Sequence, residues 1–130
     1  MIDTSVLVGW ERDDSILSAD ALAQREECAI SVITVSELLH GVYRARGARR
    51  AQRGAFVEHL LAGLEPLPIT EPVARTHAEV WADLSARGAT IGAHDLWIAA
   101  TCLAHGLGLV TCDRRAFTRV RGLRLLPLET

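Results

Sequence analysis

Lysine is missing from this sequence: all fourteen of its positive side chains are arginine. That absence removes several chemistries at once. A Walker-type phosphate loop, a receiver domain and a haloacid-dehalogenase-type phosphatase each meet a phosphoryl group with a lysine, so the acids here belong to none of them. GC-rich coding accounts for arginine in place of lysine without any functional cause. Aromatic residues make up only 5 % of the chain, too few for a surface that stacks a run of unpaired bases. The three cysteines, Cys28, Cys102 and Cys112, form no CxxC pair and leave an odd thiol under any pairing. They suit a reducing compartment and read as small buried residues. No apolar run approaches the roughly 18 residues of a membrane span, and the N-terminus has neither the basic region nor the apolar stretch of a secretion signal. A cytoplasmic protein with no membrane attachment is expected.

What is present points to a globular protein. At 130 residues, the chain is expected to form a single domain over 1–130 that buries roughly two-thirds of its unfolded surface. Hydrophobic content of 49 % and charged content of 23 % fit that class. The net charge of −2 attracts no nucleic acid, yet the arginines are clustered. Arg44, Arg46, Arg49, Arg50 and Arg53 form one stretch without an intervening acid, and Arg114, Arg115, Arg119, Arg121 and Arg124 form another. Each is either a solvated helix face or a phosphate-binding surface, with Arg49, Arg50, Arg114 and Arg115 the candidate phosphate contacts.

Short apolar runs alternate with segments of helical spacing. Strands are expected at 1–4, 29–34, 66–69, 108–112 and 123–128, and helices at 6–11, 15–26, 35–45, 48–62, 72–87 and 95–105. Pro72 suits a first helical turn, and Gly63, Gly88 and Gly106 fall where helices should stop. Continuous apolar strands between helices are those of a parallel sheet covered on both faces, so the fold class is α/β, a three-layer α/β/α sandwich.

Four acids fall at the ends of these elements. Asp3 ends the first strand in MIDTSV; Glu37 lies in the helical turn after the second, in SVITVSELLHGV; Asp95 opens a helix in IGAHDLWIAA; Asp113 follows a strand in LVTCDRRAF. Each also has a local structural role available. Thr34-x-x-Glu37 fits a capping box, Asp95 a first-turn acid favoured by the helix dipole, and Asp3 and Asp113 turn positions. Those roles do not predict that all four should share the carboxyl edge of one parallel sheet, where ligands bind in such folds. Gathered like charges cost several kcal/mol unless protons or a cation neutralise them. Oxygen-only donors suit Mg²⁺ or Mn²⁺, whose bound water becomes a nucleophile for phosphodiester hydrolysis. Glu37-x-x-His40 matches one half of a di-iron motif, but the second half is missing. His94 and Cys112 neighbour the acids, but His59, His77 and His105 lie on different helices without ligand spacing, and Trp10, Trp81 and Trp97 are expected in the core.

MIDTSVL, SVITVSELLHGV, IGAHDLWIAATCLAHGLGLVT and CDRRAF, in that order and spacing, resemble the successive motifs of PIN-domain ribonucleases of the VapC toxin type. The resemblance spans nearly the whole chain. It implies a PIN fold with a mostly parallel central sheet and Mg²⁺- or Mn²⁺-dependent endoribonuclease activity on structured RNA. It also implies neutralisation by a VapB-type antitoxin and a homodimer. It carries the four metal-site acids onto Asp3, Glu37, Asp95 and Asp113, with supporting hydroxyls at Ser5 and Thr111. Arg114 and Arg115 follow the fourth acid, in the part of the motif that varies most, so Asp113 would act directly or through water. The alternatives within the resemblance are an RNA-processing nuclease without antitoxin and a catalytically inactive scaffold; the intact acid set speaks against the second.

Overall fold

The computed structural model describes residues 1–12 and 28–127. Its helices are α1 (Thr4–Arg12), α2 (Val32–Arg44), α3 (Gly47–Ala62), α4 (Glu71–Ala86), α5 (Ala93–His105) and the four-residue α6 (Arg114–Phe117). Local chemistry sets their ends. The Ser31 hydroxyl caps α2 by accepting from the Ile33 N–H at 3.0 Å. Pro72 sits in the first turn of α4, where its missing N–H costs nothing. Gly106 closes α5 at φ 66°, a left-handed conformation that glycine adopts without a Cβ clash.

Among the described residues, short extended segments run between the helices and are joined by three parallel bridges: Ile2 with Val110, Ser31 with Leu67, and Leu109 with Leu125. Backbone hydrogen bonds extend the ladder. Ile2 N–H donates to Ala29, Leu67 N–H to Ile30, Asp3 N–H to Val110, and Leu126 N–H to Leu109. The segments therefore lie side by side in the order 66–68, 29–31, 1–3, 108–111, 124–126. The direction of winding reverses between the first and fourth in chain order, the switch point at which the loops part and leave a crevice.

The core is split by this layer. On one side α5 contributes Leu96, Ile98, Ala99 and Cys102, joined by Leu84, Leu109 and Phe117. On the other, Val6 and Leu7 of α1 pack with Leu38, Val57 and Leu60 from α2 and α3. Because α5 is buried on most of its circumference, its sequence is apolar nearly all round.

Several expectations need correction. Extended backbone is shorter than expected: α1 already begins at Thr4 and α2 at Val32, because Ser31 supplies a cap that the Thr34 reading overlooked. Thr34 is consequently buried inside α2, Glu37 lies in its second turn, and no capping box links them. Asp95 does not open α5 but stands third in it, after Ala93 and His94. The region after Asp113 forms α6, which the spacing does not predict. Trp81 is 58 % exposed rather than core, and Trp97 is half-buried. Cys112 is exposed and Cys28 only partly buried, while Cys102 is buried as expected. The helix expected at 15–26 and the side chain of Trp10 lie outside the described residues. Among the described residues, no helix is long and apolar enough to cross a membrane.

Candidate active site

Asp3 and Asp113 flank the switch point, at the carboxyl ends of the two segments that part there. Asp3 is 4 % exposed, so its charge must be met by donors. Three meet it. The Thr4 N–H donates to Oδ1 at 2.9 Å, and the hydroxyls of Ser5 and Thr111 donate to Oδ2 at 2.8 and 2.7 Å. Each hydroxyl also accepts a backbone N–H, Ser5 from Cys112 at 3.0 Å and Thr111 from Asp113 at 2.9 Å. Ser5 and Thr111 thus staple the turn after the first segment to the turn after the fourth. They hold Asp3 in one rotamer while leaving lone pairs on both its oxygens, since a carboxylate accepts about four hydrogen bonds.

Glu37 reaches the same crevice from α2. Thr4 donates to its Oε1 at 2.7 Å, and that hydroxyl also lies 3.1 Å from the hydroxyl of Thr34. His94 Nδ1 stands 3.5 Å from Glu37 Oε2. Asp95 completes the group from α5, its Oδ2 turned back to 3.9 Å from where a Cβ on Gly92 would sit. Its carboxyl is pushed up to about 6, first by burial and then by the charges of Asp3, Glu37 and Asp113, with His94 opposing. Asp95 therefore feels the charge of each of the other three expected acids. Among the described residues, no three His, Cys, Asp or Glu side chains converge closely enough to enclose an ion by themselves.

Thr4 and Thr34 are site residues that sequence reasoning does not single out. Thr4 carries no signal of its own between Asp3 and Ser5, and Thr34 reads as a cap. The spacing of Thr34 and Glu37, one turn apart on one helix face, was the available signal.

The arginine stretches are divided by the fold. Arg53 is tied to Glu11 at 2.7 Å and to the Gly41 carbonyl at 3.2 Å, bracing α3 against α1 and α2. Arg49 and Arg50 are exposed, with the Arg50 guanidinium 5.4 Å from the Tyr43 ring centroid. In the second stretch, Arg114 and Arg115 are exposed beside Asp113, Arg114 donating to the Leu126 carbonyl at 3.2 Å. Arg121 lies 3.5 Å from Asp83.

The model of the PIN domain matches residues 1–123. Ribonuclease VapC1 of Rickettsia felis is 34 % identical, covering 100 % of this chain and 96 % of its own. Ribonuclease VapC4 of Mycobacterium tuberculosis is 36 % identical over 87 % of this chain and 85 % of its own. Among solved structures, VapBC2 of Rickettsia felis bound to a DNA fragment from their promoter superposes with a TM-score of 0.84. It is 26 % identical and covers 97 % of this chain and 96 % of that one.

Proposed function

Since the chain belongs to the PIN-domain family, in its VapC ribonuclease branch, we propose that it is a toxin endoribonuclease whose site consists of Asp3, Glu37, Asp95 and Asp113. The observation that carries this reading is that Asp95, part-buried on α5, is pushed up to about 6 by burial and then by the charges of Asp3, Glu37 and Asp113, carboxylates brought from three other elements. A helix-start aspartate of purely structural use would feel none of the other three.

The donor set fits a hard divalent cation, Mg²⁺ or Mn²⁺. Magnesium keeps several waters and takes only one or two carboxylates directly, so acids that crowd without closing into a cage suit it better than zinc, which wants a tight tetrahedron. When bound, such a cation would lower the pKa of a water to the point of attack on a phosphodiester and stabilise the leaving oxygen. The chain's own residues supply the rest. Asp3, clamped by Ser5 and Thr111, offers a fixed carboxylate; Glu37, oriented by Thr4, and Asp95 face it; Asp113 on the exposed rim acts directly or through water. Mutual repulsion keeps the crevice ready for positive charge, and Arg49, Arg50, Arg114 and Arg115 would meet RNA phosphates outside it.

The remaining parts of the reading follow the same family. The chain forms one PIN domain, a three-layer α/β/α sandwich on a mostly parallel sheet, supported by the three parallel bridges. Its partner is a VapB-type antitoxin, supported by the VapBC complex it resembles. It works as a cytoplasmic homodimer, attacking structured RNA.

Cleavage of a bulk RNA preparation tests the core of this. Activity is expected with Mg²⁺ or Mn²⁺, to vanish in excess EDTA and to fall sharply in Asp95→Asn. Robust cleavage in EDTA would overturn the mechanism.

A further inference from the structure

Where α4 meets α5, a cavity of about 360 Å³ opens against the turn that leads into α5. Its wall combines aliphatic side chains with three rings, those of His77, Trp81 and Trp97. His77 lies flat on Trp97, ring centroids 3.6 Å apart and planes within 16°, and Trp81 meets His77 edge-on at 5.8 Å. An indole that leaves 58 % of its surface in water, over a cavity walled by two more rings, is an unfilled stacking face. Thr90 is the polar residue of the lining besides the ring nitrogens. Burial lowers the His77 pKa below its ordinary value, so at neutral pH the ring presents a donor and an acceptor rather than a charge.

The cavity and the acid crevice share one turn. Ile91 and Ala93 line the cavity, and Gly92 between them is the residue over which Asp95 Oδ2 folds. A positive charge stands at the same rim. Arg119 donates to the Thr90 carbonyl at 2.8 Å, which holds its guanidinium beside the opening.

We propose that this cavity receives a single unstacked nucleobase of the RNA strand, adjacent to the phosphate presented to the acids. The inference rests on the ribonuclease reading above. A base offers a π face for Trp81 and a hydrogen-bonding edge for Thr90 and His77, while Arg119 is placed for the backbone phosphate that must accompany it. Two of the three tryptophans line this one cavity, although aromatic residues are scarce overall. That distribution fits one pocketed base and not a stacked run. It also gives a nuclease without a base-stacking platform a means of preferring a loop, where a base can be splayed out, over a continuous helix.

Binding without cleavage isolates the claim. In EDTA, a short single-stranded RNA of mixed sequence is titrated against wild type, Trp81→Ala and Trp81→Phe, together with copies carrying one abasic position walked along the strand. Trp81→Ala is expected to weaken binding roughly tenfold, within the range for loss of one base–aromatic stack. Trp81→Phe should recover part of the loss. One abasic position should weaken wild type to a similar degree, and that loss should not add to Trp81→Ala. The proposal is overturned if affinity is unchanged in Trp81→Ala, or if the two losses add at every position. It is equally overturned if Trp81→Ala changes only the sedimentation mass while RNA binding stays intact, which would make this face a contact between copies. Wild type that neither binds nor cuts RNA with Mg²⁺ or Mn²⁺ would remove the ribonuclease reading itself; wild type that cuts RNA but binds it independently of Trp81 removes only the base pocket.

Discussion

Replacing Asp95 by asparagine separates a metal-site acid from a helix-start acid by the sign of the stability change. The carboxyl has a folded-state pKa of about 6 against an ordinary value of 3.8. A raised acid weakens the fold only once it ionises. Its penalty is absent below about pH 4, where it is protonated in both states, grows as pH rises between the two values, and is complete above pH 6. Two pKa units correspond to at most about 3 kcal/mol. The group is only about half-buried, and solvent screening reduces this to about 1–1.5 kcal/mol. Against it stands the helix dipole. Asp95 lies in the first turn of α5, where a negative charge contributes about 0.3–1 kcal/mol that asparagine forfeits. The net expectation for Asp95→Asn without metal at pH 7.5 is stabilisation of up to about 1 kcal/mol, or roughly 2–6 °C in Tm for a chain of this size. Melting both proteins in EDTA across pH 4 to 8 should show the gap closing as pH falls through 6. With Mg²⁺ the wild type should gain stability by ligand linkage and the variant should gain less. A variant less stable than wild type in EDTA at every pH, with an undiminished response to Mg²⁺, would refute the reasoning and return Asp95 to a capping role.

Three further outcomes are expected. Thr111→Val removes the donor to Asp3 and the acceptor for the Asp113 N–H; thermal melts should show a loss of about 1.5–3 kcal/mol, cleavage should fall further than folding does, and Thr111→Ser should restore both. Charge reversal at Arg49 and Arg50 together with Arg114 and Arg115 should weaken RNA binding and flatten its salt dependence, by about one unit of log–log slope for each of these arginines that meets a phosphate; an unchanged slope in filter binding would clear them of that role. An antitoxin should inhibit by setting a basic side chain, most simply an arginine fork, among the carboxylates. A complex structure with its tail far from Asp3, Glu37 and Asp95 would contradict this.

The alternation of elements was legible because periodicity and punctuation act within a few residues. Pro72 and Gly106 mark a helix start and a helix stop by backbone sterics alone, and both stand where that chemistry requires. The placing of Asp3 and Asp113 just after apolar extended segments was legible for the same reason. Boundaries were less so. Ser31 and Thr34 both look like caps, and only the register of the chain entering α2 decided that Ser31 does the capping and Thr34 turns inward.

Sequence alone determined the chemistry available: no lysine, two arginine stretches, four acids with hydroxyls nearby, and the helical character of the longer described stretches. These depend on side-chain type and on neighbours within a turn. Tertiary structure decided everything that depends on what lies across from a residue. Trp81 and Trp97 both lie on helices, yet Trp97 is stacked face to face on His77 while Trp81 meets that ring only edge-on and stays exposed. Arg53 became a brace because Glu11 happened to face it. Asp95 became a raised acid because folding buried it and because the segment order brought Asp3, Glu37 and Asp113 to its side of the sheet. Burial and electrostatic coupling follow distance in space, and sequence separation carries little of that until the chain has folded.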